Sequence, residues 1–175
     1  MMRPLFALLL LGAPLAPRPN VPQVGQPARD FDLETLERAR ARLAAYRGHP
    51  VLVNFWASWC KPCSDEMPEI ILAYRRLHEA GLEVLAINLT DQERKKDIRR
   101  FADELQLPFP VALDARGKVR RRYGLIGVPM TVFVDSAGIV RAVNPGPMTT
   151  GTLNRGLATI LRAPETTAAK RPTSH

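Results

Sequence analysis

Phe55-Trp56-Ala57-Ser58-Trp59-Cys60-Lys61-Pro62-Cys63 contains both cysteines of the 175-residue chain, three positions apart. Just upstream, Val51-Leu52-Val53-Asn54-Phe55-Trp56 is a short, nearly continuous apolar run, as expected of a strand buried on both faces. Downstream, Met67, Ile70, Ile71, Tyr74, Leu77 and His78 recur at the spacing of an amphipathic helix, which Gly81 stops. The cysteine pair thus falls where a buried strand gives way to a helix. Backbone N–H groups in a first helical turn are unpaired and, with the helix dipole, favour negative charge. A cysteine there is activated as a thiolate, the nucleophile of disulfide exchange. Lys61 adds a cation nearby, and Pro62 fits a first turn, where its missing N–H is not needed. Two intervening residues let the sulfurs reach bonding distance without unwinding the helix.

Three plainer readings compete. Half of a zinc site needs two further ligands, yet His49, His78 and His175 are scattered and form no second paired motif. A purely structural disulfide at this spacing closes a loop too small to restrict the unfolded chain much. A pair of inert buried thiols is the third. The strand-to-helix setting, with Trp59 beside Cys60, favours redox chemistry over all three.

Working outward, element types alternate. Leu82–Leu89 reads as a second buried strand and Asp91–Leu105 as a helix with Ile98, Phe101, Ala102 and Leu105 on one side. Phe109–Leu113 is a short strand and Arg120–Tyr123 a helical turn. Thr131–Val134 and Ile139–Val143 form a hairpin across Asp135-Ser136-Ala137-Gly138, and Thr149–Leu161 is a closing helix. Ala39–Leu43 alternates and suits an edge strand. This order predicts an α/β fold with helices on both faces of the sheet, parallel in its first part.

The domain is expected over residues 29–162. Residues 1–19 join Arg3 to an apolar run from Leu5 to Ala16, the pattern of a signal peptide or short membrane anchor. Pro14 and Pro17 make a poor cleavage site, and twelve residues are short for a bilayer span. Either reading places the domain outside the cytoplasm, where disulfides persist. Residues 20–28, rich in Pro, Gln and Gly, read as a linker, and 163–175 as a frayed tail. The net charge of +8 avoids the cysteine segment: residues 50–90 hold three basic and five acidic side chains, whereas 91–122 hold ten and six. Arg120, Arg121 and Arg122 run together and read as a solvated basic face rather than a nucleic-acid footprint.

The quoted stretch resembles the active-site segment of the thioredoxin superfamily. Its continuation Ser64-Asp65-Glu66-Met67-Pro68 narrows the resemblance to the TlpA/ResA-like extracytoplasmic thiol–disulfide oxidoreductases. So do Leu107-Pro108-Phe109-Pro110-Val111, Tyr123-Gly124-Leu125-Ile126-Gly127-Val128-Pro129 and Gly146-Pro147-Met148-Thr149. The match runs from about Pro27 to Leu161. It implies a thioredoxin fold with a mixed central sheet and a strand-helix insertion over about 82–105. It also implies that Cys60 is the nucleophile, Cys63 the resolving cysteine and Pro129 a cis-proline, and that Pro68 kinks the first helix.

A cis bond would turn the Val128 backbone toward the sulfurs, where it could pair with an extended substrate chain. Trp59 is expected to shield the nucleophile or touch substrate. Cytoplasmic thioredoxins usually carry a buried aspartate where this chain has Asn54, which takes no proton. Glu66, three residues after Cys63 on the same helical face, is the expected proton manager. Met130 stands where many relatives have threonine and makes the adjoining groove more apolar.

By resemblance, the expected activity is reduction of protein disulfides outside the cytoplasm, on apocytochrome c or on copper-site proteins. Electrons would come from a membrane thiol donor. No bound cofactor is expected, since the Cys60–Cys63 pair carries the electrons, and a monomer is expected. A thiol peroxidase and a non-enzymatic copper chaperone are the alternatives on the same fold.

Overall fold

The computed structural model describes residues 21–161. The leader or anchor expected over 1–19 and the tail expected over 163–175 lie outside the described residues. No helix among the described residues is long and apolar enough to cross a membrane.

Chain order begins with β1 (Asp32–Glu34) and β2 (Arg40–Arg42), an antiparallel pair, and a single 3-10 turn at Leu43–Tyr46. Then come β3 (Val51–Trp56), α1 (Lys61–Leu77), β4 (Glu83–Asn88), α2 (Lys95–Glu104), β5 (Val111–Leu113) and α3 (Lys118–Arg122). The chain closes with β6 (Met130–Val134), β7 (Val140–Pro145) and α4 (Thr150–Ile160). The main sheet has the order β5-β4-β3-β6-β7. β3, β4 and β5 are parallel, while β6 and β7 run antiparallel to their neighbours. This is the mixed sheet of a thioredoxin fold, with β3 at its centre.

All six residues of β3 are buried, so the continuous apolar run reflects cover on both faces. Leu52 and Trp56 point to the side of α1 and α4, where they join Met67, Ile70, Leu153 and Leu157. Val51, Val53 and Phe55 point to the other side, against Val119 and Tyr123 near α3 and against Phe31 and Leu43. Helices therefore cover both faces. Each large apolar side chain buried this way contributes roughly 1.5–3 kcal/mol. The α2 insertion docks at the edge, its Phe101 ring 4.6 Å from that of Trp56.

Three segments differ from the sequence expectation. The 39–43 strand does not extend the main sheet; β2 pairs with β1 instead, and the hairpin joins the main sheet at a Thr35–Ala112 bridge, where Leu36 N–H donates to Val111 O at 3.0 Å. Residues 21–28, read as a linker, lie along the start of β7, where Gly25 N–H donates to Val140 O at 2.8 Å and Val140 N–H to Gln26 O at 2.9 Å. The helix expected from Asp91 begins only at Lys95, after a 3-10 turn at Thr90–Gln92, because Glu93 is fully extended with φ −154° and ψ 170°. Gly81, at φ 98°, turns the chain from α1 into β4 in the left-handed region that favours glycine.

Candidate active site

β3 ends at Trp56, and a tight turn follows in which Cys60 N–H donates to Ala57 O at 3.1 Å. Cys60 then caps α1: its Sγ accepts the Cys63 N–H at 3.2 Å, and Pro62 occupies the first turn. The two sulfurs are joined as a disulfide, with the Cα atoms 5.2 Å apart. Burial separates them. Cys60 is 4% exposed and Cys63 fully buried, so the narrow opening to solvent lies at Cys60. Lys61, expected as a cation beside the sulfurs, instead pairs with Asp65 one turn on, and both side chains are exposed. Such a pair is worth little. The helix terminus is left as the main source of positive potential at Cys60.

Glu66 is 3% exposed beneath the pair, one helical turn beyond Cys63. Its Oε1 accepts the Asn54 amide at 3.0 Å and its Oε2 accepts Met148 N–H at 2.8 Å. Asn54 also donates to Thr131 Oγ1 at 3.0 Å, since the two residues face each other across β3 and β6. Burial pushes the Glu66 carboxyl above its ordinary range, and the Met148 and Asn54 hydrogen bonds only partly oppose that. A raised carboxyl pKa in a buried polar cluster is a mark of proton chemistry.

The opposite wall comes from β6. Phe55 lies opposite Met130, so the chain leaves β3 toward Cys60 at the same sheet end where it enters β6 from Pro129. The Val128–Pro129 peptide bond is cis. Pro129 and Met130 are buried and Val128 half-buried; Trp59 is 57% exposed. A cleft of about 570 Å³ runs from Pro129 and Met130 past Val143 and Pro145 to Val21 and Pro22. Ile126, 99% exposed, stands in its wall. Ile126 and Met148 enter the sequence argument only within the segments that carry the resemblance, and Thr131 only as the start of an expected strand; none of the three is expected there to line the site. Thr131 comes beside Asn54 through the β3–β6 register, a pairing of strands far apart in the sequence, whereas the hairpin register sets it opposite Asn144.

On the other flank, the Ser58 N–H donates to Glu93 Oε1 at 3.0 Å. Both histidines among the described residues are remote: His78 caps the C-terminal end of the helix whose N-terminus Cys60 caps, and His49 precedes β3.

The AhpC/TSA family model matches residues 24–143. Thiol-disulfide oxidoreductase ResA of Geobacillus thermodenitrificans is 38% identical over 137 residues, 78% of each chain. Thioredoxin-like protein YneN of Bacillus subtilis is 38% identical over 128 residues, 73% of this chain and 74% of its own. Among solved structures, a DsbE-like thiol:disulfide interchange protein from Chlorobium tepidum superposes with a TM-score of 0.74 at 29% identity, over 81% of this chain and 99% of its own. StoA of Bacillus subtilis gives 0.64 at 26%, over 76% and 98%. With a Cys-Lys-Pro-Cys disulfide at a helix N-terminus on this sheet, the chain belongs to the AhpC/TSA family and, more narrowly, to the thioredoxin-fold thiol–disulfide oxidoreductases related to bacterial ResA, an enzyme whose redox group is the Cys60–Cys63 disulfide.

Proposed function

We propose that the protein is a reductant of protein disulfides outside the cytoplasm, with Cys60 as the attacking sulfur. The observation that carries this is the asymmetry of the pair: the sulfur at the helix cap is the one with access to solvent, and its partner is sealed. In the reduced protein the Cys60 thiolate attacks one sulfur of a substrate disulfide, forming a mixed disulfide and releasing the other substrate sulfur as a thiolate. Cys63 then gives its proton to the Glu66 carboxylate and attacks Cys60 Sγ. That step re-forms the Cys60–Cys63 disulfide and expels the second substrate thiolate, which takes up a proton. Two electrons have passed to the substrate. A membrane dithiol donor returns the pair to its reduced form.

Val128 and Pro129 align the substrate strand, and Trp59 covers the sulfur from the other side. The substrates we infer are the Cys-x-x-Cys-His haem site of apocytochrome c or the cysteines of copper-site proteins. The similarity to ResA supports this reading, as does an apolar cleft suited to an extended protein chain rather than a small polar oxidant. A peroxidase is disfavoured because both cysteines share one helical turn and close on each other. A copper chaperone using histidine is disfavoured because the described histidines lie at the far end of α1 and before β3.

An equilibrium redox titration of the pair tests the direction of electron flow. A potential near or below about −270 mV supports the reductant, and one near about −120 mV makes the protein an oxidant that installs disulfides.

A further inference from the structure

Glu93 takes no part in the chemistry above, yet its carboxylate gathers more donors than a surface glutamate needs. Its Oε1 accepts the Ser58 N–H at 3.0 Å and the Asn88 amide at 2.7 Å; its Oε2 accepts the Ser58 N–H at 3.3 Å and also the Ser58 hydroxyl. Ser58 lies two residues before Cys60. Asn88 is fully buried as the last residue of β4, opposite Trp56, and Leu89 N–H donates to Trp56 O at 3.0 Å. One carboxylate thus ties the loop leaving β3 to the end of β4.

The local backbone is bent to this purpose. Glu93 is extended where the sequence periodicity would continue a helix, and α2 starts two residues later. The arginines lining the same cleft of about 460 Å³ are engaged elsewhere: Arg94 with Asp97, and Arg100 with Asp97 and Glu104. A half-buried carboxylate that is not held by a cation relies on its hydrogen-bond donors. Those donors are the reacting loop and the sheet beneath it.

We propose that Glu93 is a positioning residue: by bridging Ser58 to Asn88 it fixes the Ser58-Trp59-Cys60 segment so that the Cys60 sulfur stays at the N-cap of α1. A free loop would let Cys60 leave the Cys63 N–H and lose the terminus that stabilises its thiolate. The strand-helix insertion thereby acts on the active site through one side chain. The proposal rests on Cys60 as the attacking sulfur. Mapping the alkylated cysteine in the reduced wild type checks that separately: label on Cys63 removes the assignment, whereas label on Cys60 with no response to Glu93 removes only the clamp.

The test compares Glu93→Ala, Glu93→Gln and Glu93→Asp in the full chain. The readouts are iodoacetamide alkylation of Cys60 across pH, the kcat and KM for reduction of a small aromatic disulfide, and thermal unfolding. Gln retains an oxygen at the Oε1 position for Ser58 N–H and Asn88, so it is expected within about twofold of wild type, whereas Ala is expected to alkylate about tenfold more slowly at neutral pH, on the scale of orientation losses. The Ala profile shifts to higher pH, and its loss appears in kcat rather than KM. Asp, one methylene short of the loop, is expected to behave like Ala, which keeps the test open if Ala does not fold. A Glu93→Ala or Glu93→Asp protein that unfolds earlier but keeps the wild-type alkylation profile overturns the proposal. So does Gln falling as far as Ala, since charge and not placement would then be responsible.

Discussion

The Glu66 carboxylate and the Asn54 amide meet at 3.0 Å inside the protein, with Glu66 3% exposed and Asn54 fully buried. Asn54 Nδ2 serves Glu66 and Thr131, while Asn54 Oδ1 has no partner among the described residues. Turning the amide over would present Oδ1 to the same two neighbours, as acceptor for a protonated Glu66 and for the Thr131 hydroxyl. The pair can therefore serve either protonation state of Glu66, which suits a group that receives the Cys63 proton. Glu66→Gln is expected to lower the Cys63 thiol pKa by removing a neighbouring anion and to slow closure of the mixed disulfide by about 10²-fold, the low end of what a positioned acid–base group supplies. Thiol titration and single-turnover release of substrate check it. An unchanged Cys63 pKa defeats the role given to Glu66.

The same carboxyl governs a stretch of the stability curve. Its folded pKa is raised above the ordinary 4.5 because burial disfavours the charged form. Between those two values the folded state keeps a proton that the unfolded chain has lost, so stability falls as pH rises through that window and levels off above it. Glu66→Gln abolishes this slope. Urea unfolding of the oxidised protein in steps from about pH 4 to about pH 8 measures it. Equal slopes in the two proteins would place the proton elsewhere.

Asn54→Asp sets a second carboxyl against Glu66. Two buried carboxylates at hydrogen-bond distance cannot both ionise, so the pair is expected to share one proton and titrate as a coupled unit. At neutral pH the variant should lose roughly 2 kcal/mol or more of stability, recovered on acidification. Asn54→Asp retaining full stability above neutral pH would mean that the cluster is wetter than its burial indicates.

The sequence disclosed what is local and withheld what is distant. The Cys60–Cys63 spacing, the apolar β3 run and the α1 periodicity are all read within a few residues, and they located the active-site helix to within a turn. The environment of Glu66 was not legible, because Thr131 lies 77 residues from Asn54 and Met148 lies 82 from Glu66; only the closed fold brings them together. Residues 21–28 look like a linker because Pro, Gln and Gly mask a backbone that pairs with β7. Periodicity alone carried the 91–105 helix through Glu93, since a pattern of apolar side chains says nothing about a carboxylate captured by Ser58 and Asn88.

Gly156 in α4 rests directly on Phe133 of β6. A methyl group there would fall onto the aromatic ring, and Phe133 is 1% exposed within the core, so the ring or the helix must shift. Replacing glycine by alanine in a helix ordinarily gains about 1 kcal/mol. Here overpacking costs about 1–3 kcal/mol and outweighs it. Gly156→Ala is thus expected to lower the Tm while leaving the thiol chemistry of Cys60 unchanged, as thermal unfolding and alkylation rates report. A rise in Tm would show that the helix can slide on the sheet.

Substitution of Ile126 tests whether substrate binding can be separated from the chemistry. The residue is 99% exposed in the wall of the cleft that begins at Pro129, and nothing among the described residues covers it. A side chain so exposed adds little to stability, whereas covering it with a partner's apolar residue gains about 1 kcal/mol or more. Ile126→Ser is expected to raise KM for an unfolded protein disulfide roughly fivefold with kcat unchanged, the signature of lost uniform binding. The same variant should reduce a small aromatic disulfide at the wild-type rate, because that substrate reaches Cys60 without spanning the cleft. Equal losses on both substrates would place Ile126 in the arrangement of the sulfurs themselves. No loss on either would move the protein-binding surface to the Trp59 side, where Ser58, Glu93 and Arg94 line the second cleft.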